Sequence, residues 1–486
     1  MLSARYFLLL PVFWYCTGSA ASEDASFGPL FHEFKLTLEP GNRTEAFAPF
    51  YYQQVSGDEG DTARLWAVPP VISLWKNEET DYQGFDFLWK GITYTRYGDE
   101  YRFQVLQLLS FAGGSTQSET NVHRFSLFPF YFQQRSKIPG KDYTALFPIY
   151  GTLRQRLFRD EIRFVLFPIY GQTRKRDVVT DNFLYPLFHL RHGDGLSGWQ
   201  FWPLIGNERK QVTFKTNSWG DQETVAGHRK FSLLWPIFFD QRTGVGTENP
   251  AHQQTALPLY NFLRSPHRDS TSYLWPLGVT HTIDRQKQFT EWGAPWPLIV
   301  FARGEGKTTS RVWPFFSQAH NTNYTSDWYL WPIYKYNRLK SDPLDRERTR
   351  ILFFLYSDLA VKHTETAARL RRRDLWPLFT FKRELDGRSR LQVLSLLEPI
   401  LPENSGVEQN LSPLWSIWRS EQNPKSGAAS QSLLWNLYRR DATPDSKKCS
   451  LLFGLFQYQS APDGKRWRLF YIPFGKAKPA DESGSR

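Results

Sequence analysis

The chain has 486 residues, of which 17% are aromatic and 22% charged, with 19 tryptophans and a formal net charge of +12. A disordered chain would be poor in aromatic and other apolar residues, so this composition excludes disorder as the general state of the protein. The positive charge favours anionic partners such as lipid headgroups or acidic polysaccharide, although a charge spread over many turns is also typical of an ordinary solvated surface.

The first 20 residues have the three parts of an export signal. Arg5 provides a positive start, residues 6–15 form an apolar stretch, and residues 18–20 are small and offer a cleavage site before Ala21. The apolar stretch is shorter than the roughly 20 residues that a membrane-spanning helix needs. We therefore predict a signal peptide over residues 1–20 and an exported protein of the periplasm or outer membrane.

The cysteines are few. Cys16 follows Tyr15, whereas a lipoprotein signal has a small residue at that place, so lipidation is not favoured. Cleavage after residue 20 would leave Cys449 as the single cysteine, which excludes an internal disulfide and a cysteine zinc site in the mature chain.

Residues 21–85 contain short aromatic runs, such as residues 47–52, without the regular spacing found further along the chain. We expect them to form an N-terminal cap of β-strands.

From residue 86 to residue 475 an apolar block, Leu-Trp/Phe-Pro-Leu/Ile-Phe/Tyr, recurs about every 19 residues. Self-similarity at a fixed period indicates a repeat architecture. Short aromatic and branched blocks separated by Asp-Gly and similar turn sequences are typical of strands and hairpins. We predict an all-β fold, an antiparallel meander that forms a closed or two-layer array, with no transmembrane helix in the mature chain. The central proline recurs at Pro129, Pro148, Pro168, Pro186, Pro203, Pro236, Pro258, Pro276, Pro297, Pro314, Pro332, Pro377 and Pro473.

This central proline has no N–H to give to a strand ladder, so prolines normally lie at edges, bulges or bends. We interpret each segment from one polar turn to the next as a strand of about 10–12 residues that bends at the proline into two short parts. The aromatic residue before the proline would pack inside the corner, as Trp331 would before Pro332. A degenerate copy near Trp219 would fill the long gap between Pro203 and Pro236.

Alternate residues from Ile162 to Tyr170 are apolar, as on the lipid-facing side of a transmembrane barrel strand. The intervening residues Val165, Phe167 and Ile169 are apolar too, whereas a wide barrel would have a polar lumen. Strands that are apolar on both sides are typical of covered sheets. The pattern favours a packed array and leaves the outer-membrane barrel open as an alternative.

Two segments depart from the strand pattern. Residues Asp358–Arg373 contain several alanines and no Gly or Pro, which makes them the best helix candidate. Residues 476–486 form a polar tail.

The tandem blocks resemble those of bacterial envelope proteins that carry Leu-Trp-Pro-Leu-Phe strand repeats, over about residues 85–475. The resemblance implies an exported β-rich protein and carries no activity with it.

Motifs of catalysis and ligand binding are weak. The segment Gly304–Thr308 lacks the spacing of a phosphate-binding loop and predicts a hairpin turn. His189, His192 and Asp194 lie within six positions of one another, but without a second histidine pair they are better explained as a solvated strand end than as a metal site. We therefore assign no catalytic, cofactor-binding or metal residues.

Three further features give little support to an enzymatic or nucleic-acid-binding function. Residues 195–198 lack the spacing of a nucleophile elbow. Two well-placed carboxylates would suffice for a glycosidase, so that class stays open although the repeat favours a non-enzymatic protein. The basic run Arg369–Arg373 would suit anionic headgroups or a solvated strand, and export argues against nucleic acid as its partner.

The sequence thus predicts an exported, non-enzymatic β-repeat protein with a structural or scaffold role in the cell envelope and no cofactor. Its expected partners are anionic lipid headgroups or envelope polysaccharide. Two alternatives stay open: an outer-membrane β-barrel protein and a secreted polysaccharide-binding module.

Overall fold

The computed structural model describes residues 26–27, 30–57, 61–115, 122–216, 219–462 and 464–474. It is all-β, with 60% strand and 3% helix, as the sequence predicts. Within the described ranges no helix is long and apolar enough to cross a membrane. The predicted signal peptide and the polar tail lie outside the described residues.

The first twenty-three strands are β1 (Ser26–Phe27), β2 (Phe31–Lys35), β3 (Gly41–Ala46), β4 (Tyr51–Ser56), β5 (Ala63–Val68), β6 (Ile72–Asn77), β7 (Tyr82–Phe87), β8 (Ile92–Tyr97), β9 (Glu100–Val105), β10 (Leu109–Gly113), β11 (His123–Leu127), β12 (Tyr131–Arg135), β13 (Tyr143–Leu146), β14 (Tyr150–Arg156), β15 (Arg159–Val165), β16 (Tyr170–Lys175), β17 (Val178–Phe183), β18 (Phe188–Gly193), β19 (Leu196–Phe201), β20 (Ile205–Lys210), β21 (Thr213–Thr216), β22 (Gln222–Val225) and β23 (Gly227–Leu233).

The next sixteen strands are β24 (Phe238–Val245), β25 (Ala251–Ala256), β26 (Tyr260–Arg264), β27 (Arg268–Tyr273), β28 (Val279–Asp284), β29 (Phe289–Gly293), β30 (Ile299–Gly304), β31 (Thr308–Val312), β32 (Phe316–His320), β33 (Tyr324–Tyr329), β34 (Tyr334–Ser341), β35 (Leu344–Ile351), β36 (Tyr356–His363), β37 (Arg369–Leu375), β38 (Phe379–Arg383) and β39 (Ser389–Val393). The short helices α1 (Ser405–Asn410) and α2 (Ser412–Trp415) follow, and then β40 (Trp418–Asn423), β41 (Ala428–Leu433), β42 (Tyr438–Ala442), β43 (Lys447–Leu451), β44 (Phe456–Ala461), β45 (Gly464–Leu469) and β46 (Ile472–Phe474).

The strands form one long antiparallel meander in which each strand pairs with its successor. The exception is β20, which pairs with β23, while β21 and β22 form a separate hairpin between them. In a meander successive turns alternate between the two edges of the sheet. We call the edge with the turns 128–130, 147–149, 166–169, 184–187 and their equivalents up to 470–471 the proline edge. The opposite edge, with turns such as 176–177, 194–195 and 305–307, is the polar edge.

The chain reverses direction at the proline blocks from Pro129 to Pro377, so the predicted strand that continues through the proline is wrong there. Pro473 differs, because it lies within β46 opposite Arg468. Phe164 pairs with Gly171 on one face of the sheet, and the next residue, Val165, pairs with Tyr170 on the other. The prediction that each segment divides into two short strands is confirmed, but the corner is a full turn. The apolar face from Ile162 to Tyr170 is therefore not one face, because the residues after the proline return on the neighbouring strand.

Two local predictions are corrected as well. The helix expected over Asp358–Arg373 is wrong, because β36 and β37 pair there and Asp358 lies opposite Arg373. Cross-strand pairing outweighs the helix propensity of the alanines. The gap between Pro203 and Pro236 holds the inserted hairpin β21–β22 at the polar edge, and not a degenerate copy of the block.

Residues 21–85 were expected to form a cap of strands. The strands β2 to β7 continue the same meander, and β7 pairs with β8 without a break in the ladder.

One face of the sheet, which we call the inner face, carries a row of small residues next to the proline edge. Ser272 and Thr280 pair across β27 and β28, and Thr280 pairs with Gly293 on β29. Ser272 is 2% exposed although its side chain is short. The turn aromatics cover this row, and a Cβ added to Gly293 would lie 2.9 Å from the ring of Trp296. Small residues are thus required where the rings lie on the sheet.

The early strands contact a late segment of the chain that includes α1 and β42. The Tyr52 hydroxyl donates to the Gln409 carbonyl oxygen at 2.7 Å, although the two residues are 357 positions apart. Arg388 Nη1 donates to the Leu38 carbonyl oxygen at 3.1 Å. The array is therefore not held by neighbour contacts alone, since residues 34–52 also contact residues 388–439.

This seam of early and late residues buries charged groups. The guanidinium carbon of Arg439 lies 3.5 Å from the centre of the Phe34 ring. Burial, together with the charge of Arg439, lowers the pKa of His32 to about 4. Burial would raise the pKa of Glu421, but the charges of Arg419 and Arg390 hold it at about 2. The seam is thus sensitive to acid.

The proline edge as the candidate functional site

Each proline-edge turn is a compact reversal of the chain. In the turn 166–169 the Phe167–Pro168 peptide is cis and the Ile169 N–H donates to the Leu166 carbonyl oxygen at 2.8 Å, as in a type VI turn. Leu166 has a φ of 46°. The same hydrogen bond closes the turns 184–187, 234–237 and 330–333. The repeated block is therefore a turn module that folds alike in many copies.

Neighbouring turns are hydrogen-bonded to one another. Leu166 N–H donates to the Ile149 carbonyl oxygen at 2.6 Å, and Phe167 N–H donates to the Pro148 carbonyl oxygen at 2.7 Å. Pro168 has no N–H, so every backbone donor of this turn is paired within the protein. A residue other than proline at this position would expose an unpaired backbone N–H at the edge. Proline has no N–H, so this unpaired donor is absent.

The aromatic residues before the prolines pack along the edge. Ring centres lie 5.4 Å apart for Phe147 and Phe167, and 5.6 Å apart for Phe167 and Tyr185. The tryptophan pair of Trp313 and Trp331 lies 6.4 Å apart. Such contacts stabilise each turn by roughly 0.5–1.5 kcal/mol beyond the area that they bury.

The aliphatic residues that flank the prolines point outward. Leu166 and Ile169 are each 54% exposed, and Leu330 and Ile333 are 55% and 45% exposed. The turns from 106–108 to 376–378 contain no charged residue. Large exposed apolar surfaces of this kind are uncommon on monomeric soluble proteins and are typical of interaction sites.

The outer face adds to this surface next to the turns. Its first row runs Val165, Tyr170, Phe183, Phe188 and Phe201 through successive cross-strand pairs. The apolar zone is therefore the turn tips together with one row of aromatic and aliphatic residues.

The polar edge has the opposite character. Lys210 Nζ lies 2.8 Å from Asp194 Oδ2, and this hydrogen bond lowers the pKa of the Asp194 carboxyl. Arg338 Nη2 lies 2.6 Å from Asp345 Oδ2. The sheet is thus amphipathic along the strand direction, with an apolar edge and a charged edge one strand length apart.

The motifs weighed in the sequence do not converge on a reactive centre. Residues 305–307 form the hairpin turn between β30 and β31, as predicted. His189 lies 3.0 Å from Asn182 Oδ1 on the inner face. His192 lies on the outer face, opposite Val179. Asp194 lies in the turn after β18, so the three residues do not share a site. Among the described residues no group of three or more metal-ligating side chains occurs.

The basic run Arg369–Arg373 divides between the two faces of β37. Arg371 and Arg373 contact Asp358 on the outer face, at 2.7 and 3.3 Å. Arg372 is buried and pairs with Asp374 at 3.0 Å. Two carboxylates, Asp358 and Asp374, thus pair with three of the four arginines in this run.

The prediction that Trp331 packs inside a corner is wrong in the extent of its burial. Its side chain packs against Trp313 and Phe353 but stays 48% exposed. Sequence reasoning missed the apolar edge because it placed the proline within a strand. Alternation gives no uniform signal of these reversals, because four-residue turns such as 166–169 change its phase whereas three-residue turns such as 128–130 keep it.

Comparisons with known proteins add no assignment. No protein-family model matches the chain, and no curated protein matches it at the threshold of significance.

Proposed function

We propose that the protein is an exported, non-enzymatic β-repeat scaffold of the cell envelope whose proline edge lies in the surface of a membrane. The observation that carries this proposal is the long exposed apolar edge, in which turns such as 166–169 and 330–333 have all their backbone donors paired within the protein. A backbone group that enters lipid must be paired within the protein, because no water is there to bind it. In the turns 166–169 and 330–333 every backbone N–H meets that requirement, because each donates to a carbonyl oxygen of the same or the neighbouring turn.

The dimensions favour partial insertion. A strand of six residues is about 20 Å long, which is shorter than the roughly 30 Å of a bilayer's hydrocarbon core. The turn tips and the first outer row cover only the end of each strand. Interfacial proteins insert their apolar surface by about 5–10 Å, which this zone matches.

The chemistry of the edge agrees with a headgroup boundary. Tyrosines and tryptophans favour the membrane interface because they have an apolar body and a polar tip, and Tyr170, Tyr329 and Tyr334 lie in the first row. The net charge of +12 adds attraction to anionic lipids. Lipid is therefore the proposed occupant of the edge, in preference to a second copy of the chain.

Flotation with vesicles of phosphatidylcholine, alone or mixed with phosphatidylglycerol, tests the proposal. We expect the mature protein to float with both, to bind the anionic mixture more tightly, and to shift its tryptophan emission to shorter wavelength. Failure to float, with dimers in solution that form through the edge, would overturn it in favour of self-association.

Cell fractionation separates the proposal from the barrel alternative. A scaffold seated at the surface should be released from membranes by alkaline carbonate. A transmembrane barrel should stay until detergent is added and should migrate differently on a gel after heating. Retention in carbonate together with heat-modifiable migration would contradict the scaffold proposal.

A further inference from the structure

Arginine recurs at every second position of β35. Arg346, Arg348 and Arg350 therefore lie on the same face of the sheet. This is the inner face, because directly paired residues share a face and an unbroken series of such pairs leads from Thr280 to Arg350. We call these three residues the arginine row. Since alternate residues of a strand are about 7 Å apart, the row is about 13 Å long.

The neighbouring strand β34 places further donors beside the row. Lys335 lies directly opposite Arg350, and Asn337 lies directly opposite Arg348. The Ser326 hydroxyl donates to Asn337 Oδ1 at 3.0 Å, and the Nδ2 donor of Asn337 has no partner among the described residues. Like charges in a direct cross-strand pair, such as Lys335 and Arg350, destabilise a sheet. An anion bound at this place would remove the repulsion.

The neighbouring carboxylates lie on the opposite face or are already paired. Asp345 and Glu347 of the same strand lie on the outer face, where they pair with Arg338 at 2.6 and 3.2 Å. On the inner face Asp374 lies on β37, two strands from the row, and pairs with the buried Arg372 at 3.0 Å. Within the part of the chain that the structure describes, the three arginines of the row form no ion pair and no side-chain hydrogen bond.

Two arginines of the row have a buried donor without a partner. The Nε atoms of Arg348 and Arg350 are buried and make no hydrogen bond. Buried polar groups in native proteins nearly always have a partner, so such an exception indicates a bound ion, water or ligand. Burial and the charges of Arg350 and Arg346 lower the pKa of the Arg348 guanidinium, and the opposing effect of Asp374 is smaller. The row is therefore a group of mutually repelling charges without a direct counter-ion.

We propose that the arginine row binds a ligand that carries at least two phosphate groups. Its three guanidinium groups offer two places, each between two successive arginines. A phosphate in such a place can accept from both neighbours, because guanidinium groups bind phosphate oxygens through paired N–H donors. A carboxylate has only two oxygens, and a single guanidinium fork occupies both of them. Lys335 and the Nδ2 donor of Asn337 supply additional contacts at the side of the row.

Two sources share this chemistry, a soluble polyphosphate and a lipid headgroup with two phosphates. Lys335 and Arg350 lie in the inner row next to the proline edge, so a headgroup could reach them if that edge lies in a membrane surface. Binding of a soluble ligand does not depend on where the proline edge lies. The inference thus goes beyond the proposed function, and the two can fail separately.

Isothermal titration of the protein with tripolyphosphate, inorganic phosphate and citrate tests the soluble source. We expect saturable binding of tripolyphosphate, binding of inorganic phosphate that is weaker by at least about tenfold, and no saturable binding of citrate. Flotation with phosphatidylcholine vesicles that contain cardiolipin, or phosphatidylglycerol at equal surface charge, tests the lipid source. Tripolyphosphate binding would assign a soluble ligand, and a preference for cardiolipin without it would assign a lipid headgroup.

The double substitution Arg346→Gln with Arg350→Gln should weaken tripolyphosphate binding, or the preference for cardiolipin, by at least about tenfold. The ligand-free variant should unfold at the same temperature as the parent or higher, because it loses repulsion and no partner. The matched control is Arg209→Gln with Arg229→Gln, two exposed arginines that pair across β20 and β23 on the outer face, which should leave binding unchanged.

Three results would overturn the proposal. The first is a parent protein that binds neither tripolyphosphate nor cardiolipin in preference to the other probes. The second is equal binding of citrate and tripolyphosphate. The third is an equal loss of binding in the row variant and in the control variant.

Discussion

The proline edge can be tested at the tip of a single turn. Leu330 and Ile333 are about half exposed, and fully burying such a side chain is worth about 1.5–3 kcal/mol. The exposed half of each would therefore contribute about 1 kcal/mol on entering lipid. We expect Leu330→Asn with Ile333→Ser to lower vesicle partitioning by roughly 30-fold, since 1.4 kcal/mol corresponds to a factor of ten. Asparagine is chosen because Leu330 has a φ of 46°, which asparagine tolerates.

The polar edge offers a matched control. Leu157 and Phe158 form the tip of the hairpin between β14 and β15 and are 76% and 96% exposed. Substituting both by asparagine removes at least as much exposed apolar surface from the opposite edge. Quantitative flotation of the three proteins is the assay, with circular dichroism and thermal unfolding to verify the fold. An equal loss of binding in both double variants, or a loss only in the polar-edge variant, would refute the orientation that we propose.

Three predictions concern stability. Trp331→Ala should lower the free energy of unfolding by about 2 kcal/mol, roughly half the cost of losing a fully buried aromatic residue, and hydrogen exchange should show faster opening in the adjoining repeats only. Burial lowers the pKa of His32 to about 4 from an ordinary value of 6.5, so between these pH values the unfolded chain binds a proton that the folded chain does not. The free energy of unfolding should therefore fall by up to about 3 kcal/mol between pH 6.5 and pH 4. Urea titrations at several pH values should show this fall, and His32→Gln should flatten the pH dependence in that range. Asp374→Asn should lower the free energy of unfolding by about 3–5 kcal/mol, because Arg372 is then left buried without its carboxylate. Glu384→Gln removes a partly exposed ion pair and should lower it by at most about 1 kcal/mol in the same urea titrations.

The all-β fold class could be predicted from the sequence, because the repeat is regular and its polar turns have common hairpin sequences. Gly304 and Thr308 flank a hairpin as their composition indicates. The proline turns were misplaced because a proline between apolar residues is compatible with a bend and with a reversal, and only the pairing of Val165 with Tyr170 distinguishes them. The helix prediction for Asp358–Arg373 was wrong because strand pairing depends on residues that are distant in sequence.

The candidate sites were less accessible to sequence reasoning. Whether an apolar residue is core or surface depends on which side of a turn it occupies, so the exposure of Leu330 could not be read from its type. The seam is more remote still, because Tyr52 and Gln409 are 357 positions apart.

Successive turns alternate between the two edges of the sheet, and this restricts how such a chain can change in length. Adding or deleting a unit of two strands leaves every later turn on its own side, whereas a change by one strand would move all later proline blocks to the polar edge. The hairpin β21–β22 obeys this parity, because it is an insertion of two strands and β23 resumes pairing with β20. Duplication of whole units is therefore the natural route by which this protein could have grown. A homologue of different length should differ by an even number of strands and keep both edges intact.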